Sequence, residues 1–96
     1  MPYDPWYIYG AGGLGAETVD ILRSVFKLNE DKSFDCRFID DGTTETKKYG
    51  IPVQGYKDSI SGKVTIAIGE PSVRKQILRR IEKSSLILNN LARLGI

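Results

Sequence analysis

Gly10-Ala11-Gly12-Gly13-Leu14-Gly15 lies between the β-favouring run Trp6-Tyr7-Ile8-Tyr9 and a segment of helical period. The six residues match G-x-G-x-x-G in the strand-before, helix-after setting that gives the pattern its meaning. The first glycine permits a tight turn. The middle ones let backbone N–H groups approach an anion with no Cβ in the way, and the last lets helix and strand pack closely. The start of the helix adds N–H donors that have no intrahelical partner. Such a loop offers binding chemistry, with several amides converging on phosphate oxygens, and a diphosphate is its natural guest. The competing reading is a glycine turn that only packs a strand against a helix.

A second candidate group, Asp40-Asp41-Gly42, ends the run Cys36-Arg37-Phe38-Ile39. In a doubly wound sheet this strand end lies beside the first loop, where a carboxylate meets a ribose or a base. Asp40 lies 25 residues beyond Gly15, against ~20 in the usual fingerprint, and the polar loop Asn29 to Asp35 absorbs the excess. Adjacent strand residues face opposite ways. One carboxylate is therefore expected to face the ligand while the other caps the turn at Gly42. The competing reading here is a solvated acidic turn. Gly69 and Glu70, after a third strand, are available to line the same crevice.

Little else in the composition does chemistry. The 96 residues contain no His and one Cys. That excludes an imidazole base, a Ser-His-Asp or Cys-His pairing, an intrachain disulfide and the usual His- or Cys-based zinc sites. Cys36, opening a strand, reads as a buried inert thiol. The 14 Lys plus Arg against 12 Asp plus Glu leave a net charge of +2, too weak a bias to imply nucleic acid or an anionic membrane. No apolar run approaches the ~18 residues of a membrane span, and the start lacks the basic and apolar regions of a signal peptide. A cytoplasmic protein is the expectation.

The elements that must position these residues follow from hydrophobic period. Short apolar runs alternate with helical segments, so the fold class is α/β, a Rossmann-like three-layer domain with a short, mostly parallel sheet. Val19, Leu22 and Phe26, with Ile21 and Val25, predict a helix from Ala16 to about Leu28. Val64-Thr65-Ile66-Ala67-Ile68 is the best central strand, apolar and β-branched throughout. Ile51-Pro52-Val53 reads as a short extended piece, and its proline argues against a central strand. Pro71 opens a helix carrying Val73, Ile77, Leu78 and Ile81. Ser84 or Ser85 is expected to cap a further short helix with Leu88, Leu91 and Leu94, stopped at Gly95. Arg74, Lys75, Arg79, Arg80 and Lys83 read as a solvated basic helix face. Arg74 is the exception to watch, because it lies one turn after Gly69 and can reach the crevice mouth. Lys47 and Lys48 read as loop residues that only solubilise. The chain is expected to be a single domain over 1–96. Three strands and about three helices make one mononucleotide half, so NAD would lack half its seat.

Tyr7-Ile8-Tyr9-Gly10-Ala11-Gly12-Gly13-Leu14-Gly15, Phe38-Ile39-Asp40-Asp41, Gly50-Ile51-Pro52-Val53-Gln54-Gly55, and Ala67-Ile68-Gly69 followed by Arg74-Lys75 appear in that order. In these pieces the chain resembles the N-terminal domain of PglD-like and NeuD-like sugar acyltransferases across nearly its whole length. The resemblance implies a domain that holds a nucleotide-activated or related amino sugar. It also implies acetyl transfer from acetyl-CoA on a C-terminal left-handed β-helix that trimerises and lies outside this chain. Carried over residue by residue, Gly10, Gly12, Gly13, Leu14 and Gly15 form the loop, with Gly12, Gly13 and Leu14 at the phosphates. Asp40 and Asp41 fall at the uracil and ribose end and Gly69 on the sugar side. Many members carry His where Leu14 stands, so contacts at 14 come from backbone here. The family's catalytic His belongs to the β-helix. This domain is therefore expected to bind a UDP-linked amino sugar without turning it over, to hold no cofactor of its own, and to be a monomer or weak dimer alone. Two other classes compete: a stand-alone regulatory module binding NAD or CoA, and an interaction domain whose glycine loop is purely structural.

Overall fold

The computed structural model describes residues 5–26 and 35–89. In chain order the elements are β1 (Trp6–Tyr9), α1 (Gly13–Phe26), β2 (Cys36–Ile39), β3 (Lys47–Lys48), β4 (Ile51–Gln54), β5 (Ser61–Ile66), α2 (Pro71–Glu82) and β6 (Ser85–Leu88). The strands form one sheet in the order β3-β4-β2-β1-β5-β6. All neighbours are parallel except β3 and β4. The chain steps from β1 outward through β2, then returns to place β5 on the other flank of β1. That reversal is the topological switch point of a doubly wound sheet.

Alternation along β1 divides the core between two faces. Trp6 and Ile8 pack with Val19 and Leu22 of α1 and with Phe38. Tyr7 and Tyr9 pack with Ile77 and Ile81 of α2 and with Ile39 and Val64. All four β1 residues are buried, as expected of a central parallel strand covered on both sides. The three-layer Rossmann-like expectation thus holds. The Trp6 indole, which requires a partner in a core, donates to Thr65 Oγ1 at 2.9 Å, and Thr65 donates in turn to the Asn89 carbonyl at 3.1 Å.

Several element assignments need correction. Ser84 and Ser85 do not open a third helix. Ser85–Leu88 is strand β6, in parallel register with Ser61–Val64, and Ser84 closes α2 by donating to the Ile81 carbonyl at 2.7 Å. The flank of β5 away from β1 decides the matter, since the four residues Ser85-Leu86-Ile87-Leu88, three of them apolar, satisfy its backbone there. Leu91, Leu94 and Gly95 lie outside the described residues, as do Leu28 and most of the expected loop from Asn29. Helix α1 begins at Gly13 rather than Ala16. The third strand spans Ser61–Ile66 rather than Val64–Ile68, leaving Ala67 and Ile68 beyond its end. Six strands and two helices replace three and about three among the described residues.

Lys47 and Lys48 are a strand, not a loop. They form a hairpin with β4 whose two-residue turn, Tyr49-Gly50, has φ of 52° and 77°, the left-handed pair that suits a tight hairpin. Pro52 sits in β4 opposite Lys47, while Val53 and Gln54 make the register with β2. β4 is thus paired on both sides, which corrects the expectation drawn from its proline; Pro52 lies one residue before the register with β2 begins.

Leu22 is fully buried where α1 meets the sheet. Leu22→Ala is expected to cost ~2–5 kcal/mol and to lower the thermal midpoint by roughly 8 °C or more, read by circular dichroism.

Candidate functional site

A cavity of about 470 Å³ opens at the carboxyl ends of β1, β2 and β5. Gly10, Gly12, Gly13 and Leu14 form one wall. Ile39, Asp40 and Asp41 close the β2 end, Ala67 and Ile68 the β5 end. Helix α2 supplies the opposite wall through Val73, Gln76, Ile77 and Arg80, positions spaced three and four apart on one helical stripe.

The glycines of the loop divide by role. Gly10 has φ of 112°, and a Cβ there would lie 2.8 Å from both the Ala67 carbonyl oxygen and Ile68 Cγ1. Its N–H donates to the Ile39 carbonyl at 2.8 Å. A Cβ on Gly15 would collide with the Gly10 carbonyl oxygen and approach Phe38 Cε1 at 3.1 Å, so this residue sets the close packing of α1 on the sheet. Gly15 itself does not line the cavity. A Cβ on Gly12 or Gly13, by contrast, would have no neighbour within 4 Å. Packing does not require glycine at these two positions, and both border the cavity. The first intrahelical bond runs from Ala16 N to the Gly12 carbonyl at 3.0 Å, so the N–H groups of Gly13, Leu14 and Gly15 precede the helical ladder. The Leu14 side chain packs against the α1-face core and its carbonyl accepts from buried Thr18 at 2.8 Å.

The two aspartates also divide. Asp40 braces backbone: its Oδ2 accepts from Ala11 N at 3.0 Å and its Oδ1 from Gly42 N at 2.8 Å. The carboxylate thus caps the expected turn and simultaneously holds the glycine loop. Asp41 accepts from Tyr56 N at 2.9 Å through Oδ1, and through Oδ2 from the Tyr9 hydroxyl at 3.2 Å and Arg80 Nη1 at 2.9 Å. The Tyr56 amide first, and then Arg80 and Tyr9, hold the Asp41 carboxyl below its ordinary range against the opposing effect of burial. Burial, reinforced by Asp41, raises the Tyr9 phenol, so it stays protonated and available as a donor at neutral pH.

Three residues of this group are not singled out by sequence: Arg80 reads there as part of a solvated face, and neither Tyr9 nor Tyr56 is given a role at the site. Arg80 stacks on the Tyr56 ring at 4.9 Å, Tyr56 stacks on Tyr9 with centroids 6.2 Å apart, and Arg80 Nη1 also donates to the Tyr9 hydroxyl. The available signal was the stripe: residue 80 shares a helix face with Val73 and Ile77. Arg74, the one to watch, is an anchor instead. Its Nη1 donates to the carbonyls of Ile66 and Ile68 at 3.2 and 3.1 Å, satisfying backbone where β5 ends. Gly69 is exposed and does not line the cavity. Glu70 caps α2 by accepting from Ser72 N at 2.9 Å. Burial pushes the Cys36 thiol up to about 12, with Asp35 adding to the effect, as fits an inert thiol.

Fold and site together define a small Rossmann-like domain with an amide-lined cavity at its switch point. The profile of the PglD N-terminal domain matches residues 6–81, and the chain belongs to that family. Comparison with curated proteins and with solved structures gives no match. Among the described residues no helix is long and apolar enough to cross a membrane.

Two predictions follow from this geometry. Gly12→Ala should leave stability within ~0.5 kcal/mol of the native protein, whereas Gly15→Ala should cost ~1–3 kcal/mol by overpacking; urea unfolding of both variants measures the contrast. Because the Asp41 carboxyl is depressed in the folded state, its stabilising contribution is complete above the unfolded carboxylate value of ~4 and fades as pH falls through the lower folded value. Asp41→Asn should therefore melt below the native protein at neutral pH, with the gap closing in acid. A gap that stayed constant with pH would contradict this.

Proposed function

We propose that this chain is the substrate-holding domain of a PglD-like sugar acetyltransferase, and that its cavity binds a UDP-linked amino sugar. The observation that carries the reading is the pair Gly12 and Gly13. They are unobstructed, they sit at the start of α1, and they face a cavity that also contains Asp40 and Asp41. Main-chain amides there suit phosphate oxygens, and the dipole of α1 favours negative charge at that end. The Asp40-Asp41 end suits ribose hydroxyls and the N–H of a base. A volume of about 470 Å³ lies within the ~300–1,000 Å³ typical of small-molecule sites.

In this reading the domain binds and orients. Acetyl-CoA and the catalytic residues belong to a left-handed β-helix that is not part of these 96 residues and that trimerises. Whether oxygen or nitrogen of the sugar is acylated is decided there. Gly69, which follows the end of β5 and does not line the cavity, takes the sugar side only as the family resemblance implies. The family membership supports this reading over a regulatory module binding NAD or CoA.

Thermal unfolding with UDP, UDP-N-acetylglucosamine, CMP, NAD and CoA in parallel tests it. A ligand at ~100 times its dissociation constant adds about 2.7 kcal/mol, a rise of roughly 10 °C or more for a domain of this size. The rise is expected with the two uridine nucleotides and not with NAD or CoA. Gly12→Ala, which places a methyl group at the phosphate wall, should remove most of it. A rise with NAD alone would overturn the assignment.

A further inference from the structure

We infer that Arg80 contacts the ligand directly, gripping a phosphate oxygen from the α2 side while the glycine loop holds the phosphates from the α1 side. The inference rests on the nucleotide reading of the cavity and adds a residue that reading does not itself require.

Charge is the first argument. Among the described residues that line the cavity, Arg80 is the one cation, and the other charged residues there are Asp40 and Asp41. Two carboxylates alone would oppose entry of a diphosphate, because a cleft with low-dielectric walls focuses the field of its charges. A cation reaching from the α2 wall to within 2.9 Å of Asp41 offsets part of that field.

The second argument is how the guanidinium is held. It carries five N–H donors in a rigid planar fork. Both contacts, to Tyr9 and to Asp41 Oδ2, are made by the single nitrogen Nη1. Nε–H and the two N–H groups of Nη2 have no partner among the described residues. An arginine present only to neutralise a carboxylate commonly pairs with it through two parallel N–H bonds. Arg80 is instead pinned by one prong, with the other three donors oriented and unspent.

Accessibility is the third. The Arg80 side chain is 47% exposed, yet it is fixed in direction by the stack on Tyr56 at 4.9 Å. It can meet an oxyanion without leaving Asp41, so little ordering remains to be done on binding. Tyr9 and Tyr56 then act as positioning residues, and Asp41 as the anchor of the fork.

The test compares dissociation constants for UDP and for uridine in the native protein, Arg80→Met, Arg80→Lys, Asp41→Asn and the double variant Asp41→Asn/Arg80→Met. Titrations followed by NMR give the constants, and a thermal melt confirms that each variant is folded. Arg80→Met should weaken UDP by roughly tenfold or more, the equivalent of one charge-assisted hydrogen bond, and leave uridine nearly unchanged. Arg80→Lys, which keeps the charge and loses the fork, should fall between. The double variant should bind UDP relative to uridine as weakly as Arg80→Met. Recovery of the native ratio in the double variant would overturn the inference, because Arg80 would then act only by neutralising Asp41. Equal losses for UDP and uridine, or no loss in Arg80→Met, would overturn it as well. Failure of the native protein to bind UDP would remove the nucleotide reading itself, and the role of Arg80 with it.

Discussion

Four elements touch at Gly10. Its N–H is bonded to the last residue of β2, the space a Cβ would occupy is filled by Ala67 and Ile68 beyond β5, and its carbonyl oxygen lies against Gly15 of α1. Any side chain at position 10 pries β1 from the end of β5, and any at position 15 lifts α1 off the sheet. This one crossing fixes where α1 begins relative to the three central strand ends. The cavity exists because α1 is drawn onto one face there while α2 covers the other, leaving the opening expected outside the carboxyl edge of a doubly wound sheet. The amides at the start of α1 are thus held in place by the fold itself, which in the proposed reading lowers the ordering cost of binding.

The aspartates extend the same constraint outward. Asp40 ties Ala11 of the loop to Gly42 of the next turn, so the loop is braced from β2 as well as from β5. Asp41 gathers the backbone of Tyr56, the Tyr9 hydroxyl and Arg80. A carboxylate that accepts a backbone N–H and a guanidinium is stabilised in its ionised form, and the Asp41 carboxyl is held below its ordinary range accordingly. Both carboxylates are occupied by protein donors, and both still line the cavity.

Much of this was legible in the residues. A glycine pattern between a strand and an amphipathic helix, an acid pair closing the second strand, and a proline opening the last helix each have a local cause, and each appeared where expected. What was not legible depended on neighbours. Ser85–Leu88 is too short for periodicity to separate strand from helix, and the flank of β5 away from β1 decided it. The Tyr49-Gly50 hairpin lacks the Asn-Gly or Asp-Gly signature, so it passed as loop. Arg80 looked like any other member of a basic helix face, because sequence gives the face but not what stands opposite it. Arg74 failed in the reverse direction, since orphan carbonyls at the end of β5 claimed it before any ligand could.

Leu14 leaves the loop without a polar side chain of its own. Its side chain packs against the α1-face core and its carbonyl is taken by buried Thr18. The loop is therefore held by apolar packing and by the side chains of Thr18 and Asp40, and in the proposed reading it contributes only N–H groups to a ligand. Amides recognise the shape and charge of an oxyanion but carry no net charge, so they cannot offset Asp40 and Asp41. The compensating charge has to come from another element, and α2 presents Arg80 on the stripe that faces the loop. In the proposed reading, anion binding is thus divided between a neutral wall that supplies geometry and a single guanidinium that supplies charge.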